Sequence, residues 1–229
     1  MQTAGTSNIL LSAATALELQ PILDRLADAL VVKESGFRRY QIGDREVHIL
    51  ITGAGMLSTC FELQQHLLKS THSYDLVLHL GVAGSYDHSL ALGTVLEVTS
   101  EIIGDLGIEA RNGDLLPLHE QPWYREQFPF EQGVLRQPKR HFPDLPAARG
   151  RTLNRVTGSA STIEKLPPLE GTLESMEGAA VFYTCLRMKQ PFACLRAVSN
   201  YVEPRDRANW RMQEAVQALA DVFVEWTGI

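Results

Sequence analysis

Two carboxylates and one amide stand where apolar runs give way to small or polar residues, and each is a type that can do chemistry. Glu18 follows NILLSA in AATALELQPIL, Glu177 sits in TLESMEGAAVFYTCL, and Asn200 ends FACLRAVS. A carboxylate at the mouth of a sheet can bind and deprotonate a water. Thr15 and Glu18 also have the T-x-x-E spacing of a capping box, in which hydroxyl and carboxylate satisfy backbone donors at a helix start. Spacing alone leaves both readings open. Glu177 can accept two ligand hydroxyls at once or serve as a favourable negative charge at a helix N-terminus. Asn200 fits a turn cap as well as a ligand contact.

The glycines between these residues bear on what a ligand would be. In TGAGMLS, Gly53 and Gly55 let backbone approach a ligand while helix N–H groups point at it. A dinucleotide fingerprint would need a third glycine and an acid ending the next strand, where Asp75 instead begins it. The P-loop pattern GxxxxGK[ST] is also missing. In LHLGVAGSYD, Gly81, Ala83 and Gly84 leave room for a flat ring against the main chain, or make a tight turn with positive φ. TGSAST, with Ser161 and Thr162, is a further candidate ligand-facing end. Asp206 is placed to cap the last helix, flanked by Arg205 and Arg207 as solvated charges. The seven histidines show no HExxH or paired spacing, so neither a metal nor a redox cofactor is expected. His79, inside an apolar run, reads as a satisfied core residue.

The elements that must position these groups alternate in type. Strands are expected at 8–13, within 37–52, and at 75–81, 94–103, 151–157, 171–175 and 192–199. Helices are expected at 16–31, 56–69, 177–189 and 207–226, each with apolar spacings of three and four. Several strands are apolar throughout, as strands covered on both faces are. The class is therefore α/β, with a mixed, largely parallel sheet flanked by helices in three layers and the whole of 1–229 read as one domain. Ligands in such sheets sit outside the carboxyl ends of the strands, where the residues above cluster. Residues 111–150, rich in Pro, Gln, His and Arg, read as a functional or partly mobile excursion. The net charge of −6 argues against nucleic acid or an anionic membrane as partner. Three separated cysteines read as free thiols of a reducing compartment. MQTAGTSNILL lacks a basic flank and cleavage site, and no apolar run reaches the length of a membrane span, so a cytoplasmic protein is expected.

The ordered set SAATALE, TGAG, LGVAGS, VTGSAS, SMEGAA and AVSN, spanning residue 8 to about 226, resembles the purine nucleoside phosphorylase and nucleosidase superfamily. It is closest in pattern to the branch that includes methylthioadenosine/S-adenosylhomocysteine nucleosidase. RAVSNYVEPRDRANW and EIIGDLGIEA are more similar to the futalosine hydrolase family. The resemblance implies hydrolysis of the N-glycosidic bond of futalosine, releasing hypoxanthine on a menaquinone route, without a cofactor. It also implies a homodimer or higher homo-oligomer whose neighbour completes the 5′ pocket, and the Trp123–Tyr124 region is a candidate for that wall. By the same resemblance Glu18 activates the water, Glu177 holds the ribose 2′- and 3′-hydroxyls, and Met176 lies against the sugar. Ala54 and Gly55 fall near the sugar and its 5′ side, and Ala83 and Gly84 under the base. Ser161 and Thr162 stand where the adenine branch has apolar contacts.

Departures from the pattern sharpen the expectation. Adenine-releasing relatives end the last strand in Asp, whereas Asn200 offers one donor for O6 and one acceptor for N7–H of hypoxanthine. Ser175 replaces an acid often found before the Met-Glu pair, and Glu174 stands one place earlier, so no role is transferred to it. No arginine cluster for phosphate is evident, which favours hydrolysis. Arg111, Arg205 and Arg207 are candidates for the carboxylate of the 5′ chain. An adenine nucleosidase, a phosphorylase and a nucleoside-binding protein without turnover remain the alternatives.

Overall fold

The computed structural model describes residues 7–34, 37–166 and 171–228. The first six residues, part of the N-terminal stretch read above, lie outside these. The first half of the chain runs β1 (Ser7–Ala13), α1 (Ala16–Arg25), β2 (Leu30–Glu34), β3 (Phe37–Ile42), β4 (Arg45–Ile51), α2 (Met56–Lys69) and β5 (Leu76–Ser85). There follow β6 (Val95–Ile103), a small hairpin of β7 (Gly107–Glu109) and β8 (Leu115–Pro117), β9 (Val134–Arg136) and β10 (Ala147–Thr152). The chain ends with α3 (Ala160–Ile163), β11 (Thr172–Ser175), α4 (Gly178–Met188), β12 (Phe192–Tyr201) and α5 (Met212–Thr227).

Alternation along the buried strands builds two cores. Ile9, Leu11 and Ala13 of β1, with Leu76, Leu78 and Leu80 of β5 and Ala193, Leu195 and Ala197 of β12, face α1 and α5. Leu10, Val77, Cys194 and Val198 face the other way, against Leu63 of α2 and Ala179, Val181, Phe182 and Cys185 of α4. This is the period-two geometry of strands covered on both sides, and it yields three layers. Phe182 and Phe192 pack edge to face at 4.8 Å, a geometry worth about 1 kcal/mol beyond the area it buries.

Parallel ladders join β4, β1, β5 and β12 in one block and β6, β10 and β11 in another. Antiparallel pairing of β12 with β6 stitches the blocks together. β3 and β2 extend the sheet antiparallel beyond β4, and β9 runs antiparallel along β6. β11 also pairs antiparallel with β5, through Leu173–Ser85 and Glu174–Gly84. Strands β11, β10, β6, β12 and β5 thus close into a ring.

The structure corrects several boundaries. The helix expected to reach residue 31 stops at Arg25, and a 3₁₀ turn at Ala27–Ala29 leads into β2, because the β2–β3 ladder draws this stretch into the sheet. The strand expected at 151–157 is β10, ending at Thr152. Beyond it the backbone and amide N–H groups of Asn154 turn out to the Asp105 carboxylate, at 2.8 and 3.2 Å. Asp206 caps a 3₁₀ turn through the Ala208 N–H (3.0 Å), and the last helix begins only at Met212. Gly81, Ala83 and Gly84 are ladder residues of β5 and form no tight turn. Within the 111–150 excursion, β8 and β9 are ordered, and the end of the segment is clasped by buried Glu97. That carboxylate accepts from Arg140 Nε (2.9 Å), Gln137 Nε2 (3.1 Å) and the backbone N–H of His141 (2.8 Å) and Phe142 (3.3 Å).

Candidate active site

Three residues meet where α1 begins beside β5 and β12. Thr15 donates both its backbone N–H (2.8 Å) and its hydroxyl (3.0 Å) to Oε2 of Glu18, so the capping role read from T-x-x-E is present. The capping bonds engage one oxygen and leave Oε1 turned toward Gly81. A Cβ built on Gly81 would lie 3.2 Å from that oxygen and 3.1 Å from Nη1 of Arg196, so the missing side chain is what lets the two head groups converge. Arg196 pairs with Gly81 in register and shares the face of Cys194 and Val198. It is 1% exposed, and its Nε and Nη2 have no hydrogen-bond partner among the described residues. Burial raises the pKa of Glu18, opposed by the Thr15 bonds and the Arg196 charge. For Arg196, burial works against the charge, but Cys194, Glu177, Glu101 and Glu18 around it hold the pKa above its ordinary value.

Glu177 is the N-cap residue of α4, and its Oε1 accepts the Gly55 backbone N–H at 2.8 Å. Gly55 holds φ 89° and ψ 158°, a conformation essentially confined to glycine, and this aims its N–H across the molecule. The turn before α2 and the start of α4 are thereby locked together. Met176 and Glu177 are half-buried, whereas Ala54 is exposed beside Gly55. Beneath α4, the Glu101 carboxyl of β6 occupies the space that Cβ atoms on Gly150 and Gly178 would need. Small Gly178 therefore makes room for a second carboxyl as well as for close helix packing.

A second focus lies along β5 from Gly81, three residues or about 10 Å away. A one-residue bulge in β12 after Val198 sets Asn200 opposite Gly84, and Glu174 of β11 pairs with the same glycine from the other side. Asn200, Gly84, Glu174, Thr157, Arg205 and Trp210 line a cavity there. The Asn200 amide donates to Tyr201 O (2.9 Å) and accepts from the Ser199 hydroxyl (2.8 Å). Glu174 accepts from the Thr157 N–H (2.7 Å) and from the Tyr86 hydroxyl. Burial, followed by the Glu174 hydrogen bond, pushes the Tyr86 pKa up. The Arg205 guanidinium lies over the Trp210 ring at 4.9 Å.

Other candidates stand apart from these foci. Ala83 is buried in the α2–α4 core, with its carbonyl accepting from Ser199 Oγ (3.2 Å). Ser161 and Thr162 are exposed within α3, tied to Ser159 (3.3 and 2.7 Å). Arg111 and Arg207 are exposed, and Trp123 is 64% exposed. Tyr124 lines a separate depression with Leu106, Leu118 and Phe130. His79 is buried and shares a hydrogen bond with Ser12 Oγ (3.0 Å), as expected of a satisfied core residue. Arg196, Glu101 and Glu174 were assigned no role from the sequence, although the first two carried a signal: a charged residue inside an otherwise apolar strand, rarely buried without a reason.

Among the described residues, Glu46, His48 and His72 bring donor atoms within 4.8 Å of one another, a cluster the sequence spacing did not reveal. Glu46 Oε1 accepts from His48 Nε2 (2.6 Å), His48 Nδ1 meets the Tyr74 hydroxyl (2.8 Å), and His66 Nε2 meets the same hydroxyl (2.9 Å). This chain of bonds ties the start of β4 to α2. Burial lowers the pKa of His48 and of His66.

Comparison with known proteins places this geometry in context. Residues 8–226 match the sequence profile described as the phosphorylase superfamily. A futalosine hydrolase of Thermus thermophilus is 32% identical over 176 residues, covering 75% of this chain and 76% of that protein. A futalosine hydrolase of Streptomyces coelicolor is 32% identical over 65% of this chain and 63% of its own length. A crystal structure of 5′-methylthioadenosine/S-adenosylhomocysteine nucleosidase from Helicobacter pylori, with butyl-thio-DADMe-Immucillin-A, superposes with a TM-score of 0.76. It has 17% identity and covers 97% of each chain, a likeness of fold.

Proposed function

The chain belongs to the phosphorylase superfamily, and from that premise we propose that it hydrolyses the N-glycosidic bond of futalosine, releasing hypoxanthine. The observation that carries this reading is the convergence of Glu18 and Arg196 over Gly81, with Glu177 fixed nearby by Gly55. A ribosyl group losing its base passes through an oxocarbenium-like state, which is favoured by a fixed sugar, nearby negative charge and a poised water. Glu177 holds the two vicinal ribose hydroxyls with its remaining acceptor capacity, and Met176 lies against the sugar. Glu18 takes a proton from the attacking water while the buried donors of Arg196 hold the oxygen, assistance worth about 10²–10⁴-fold in such reactions. The raised pKa of Glu18 suits a group that must accept a proton.

The 10 Å offset between Gly81 and Gly84 supports a base seated over Gly84 and Asn200. Asn200 reads O6 with its amide donor and N7–H with its carbonyl, so adenine meets an unsatisfied edge. Because Asn cannot act as a general acid, the base takes its N7 proton from water. Ala54, exposed beside Gly55, leaves the 5′ side open to the long chain of futalosine. Arg205, beside the cavity, is the first candidate to meet that chain's carboxylate, with Arg111 and Arg207 farther out. Ser161 and Thr162 lie outside the lining of the cavity. The protein works in the cytoplasm on the menaquinone route, as a homodimer or higher homo-oligomer. Exposed Leu57 and Phe61 on α2 and Tyr183 on α4 support such an interface.

The test is to incubate the protein with futalosine, aminofutalosine, inosine and methylthioadenosine, with and without phosphate, and to separate the released bases. Phosphate-independent hypoxanthine from futalosine is expected. Adenine as the main product would reassign it to the methylthioadenosine branch, and phosphate dependence to the phosphorylases. No release from any substrate would favour a binding protein.

A further inference from the structure

Glu101 is the buried group that the reaction above leaves unused. It is 1% exposed, and the chain has no Cβ at two separate positions, Gly150 on β10 and Gly178 on α4, where one would collide with its carboxyl. Its Oε2 accepts the Thr152 hydroxyl (2.9 Å), and that hydroxyl oxygen accepts the Ala179 N–H (2.8 Å). Ala179 belongs to the first turn of α4, two residues after Glu177. A continuous path therefore runs from Glu101 through Thr152 into the helix start that carries the proposed sugar ligand.

We propose that Glu101 is a positioning residue for the sugar site: its carboxyl, wedged under the first turn of α4, fixes the direction in which Glu177 presents its own. The inference rests on the nucleosidase reading. The groups facing Glu101 are Arg196 and Cys194 from β12, Glu177 from α4 and Thr152 from β10, while β9 sets apolar Leu135 opposite it. Burial pushes its pKa up to about 8, against the lowering effects of Arg196 and Thr152. At neutral pH the wedge is a neutral acid, which leaves Glu177 the nearby negative charge. Above that range an ionised Glu101 repels Glu177 and competes with it for Arg196, so the sugar site loosens.

The experiment is the pH profile of kcat and KM for base release from pH 6 to 10, for the wild type, Glu101→Gln and Thr152→Val. In the wild type, KM is expected to rise with pH above about 8, approaching tenfold per unit as for a single ionisation. Glu101→Gln, which cannot ionise, loses this limb. Thr152→Val removes a bond that favours the ionised form, so its limb moves to higher pH. Ionisation of the substrate acts on all three alike, and the comparison is between variants. Thermal melts across the same range provide a second readout. The native pKa lies above the unfolded value near 4.5, so the wild type loses stability relative to Glu101→Gln as pH rises from about 4.5 to about 8, and the gap is constant beyond. Coincident KM limbs in all three proteins would overturn the proposal while leaving the nucleosidase reading intact. Absence of base release from every substrate would sink that reading, and the proposal with it.

Discussion

Glu97 and Glu101 lie on the same strand, 0% and 1% exposed, and the molecule treats them in opposite ways. Glu97 collects a guanidinium, an amide and two backbone N–H groups, all from residues 137–142. Glu101 receives one hydroxyl and sits near Glu177 and Arg196, an arginine whose charge it shares with Glu18. A buried carboxyl that is given donors is a fastener, because removing it strands every partner. One given a single donor is pushed toward its neutral form by burial, at a cost in stability of the kind found at functional sites. The same contrast separates the two ends of the sheet. The clasp at Glu97 organises a long excursion, whereas the cluster around Arg196 holds unpaired buried donors that a ligand can use.

The contrast can be broken or sharpened by substitution. Glu18→Gln should lower kcat by about 10²–10⁴-fold with no loss of melting temperature, since the amide oxygen still accepts from Thr15. Base release at wild-type rate would remove Glu18 from the chemistry. Glu97→Ala should do the reverse, costing about 3–5 kcal/mol in denaturant unfolding while the folded fraction keeps its KM. Unchanged stability would mean that the clasp is ornamental. Asn200→Asp should shift the ratio of hypoxanthine to adenine release by about 10–100-fold toward adenine, and a constant ratio in paired assays would end its base-reading role. The smallest effect expected is from Gly55→Ala, about 1–3 kcal/mol of strain together with a higher KM, because the residue whose N–H anchors Glu177 leaves its glycine-only conformation. A neutral result in melting and kinetics would show that the turn relaxes freely.

Much of this was legible in the sequence, for physical reasons that differ by residue. The helix at 56–69 was read with its observed ends because its apolar period begins directly after the Gly-rich turn. Glu18 stood out through its capping spacing, which the structure shows on Oε2, while Oε1 is turned toward Gly81 and is left for the proposed water. The residues that carry the site's electrostatics were not legible in the same way. Arg196 gains meaning only from register with Gly81, Glu101 from two glycines far along the chain, and Glu174 from ring closure. Only the first two residues of β2, Leu30 and Val31, fall within the helix expected over 16–31, and pairing with β3 is what draws the stretch into the sheet. Local pattern reports what a segment prefers, and long-range pairing decides what it meets.

The closure of the strand ring has a mechanical consequence. β11 meets β5 through two residue pairs, Leu173–Ser85 and Glu174–Gly84, and Gly84 and Glu174 also line the cavity beside Asn200. The hoop is fastened by its shortest stitch at the place where a base would sit. A base seated as proposed would bridge β11 and β5 across that stitch, as a pin spans a hinge. Amide exchange along β11 should slow when the site fills, while exchange at the distant β2–β3 edge keeps its own pace.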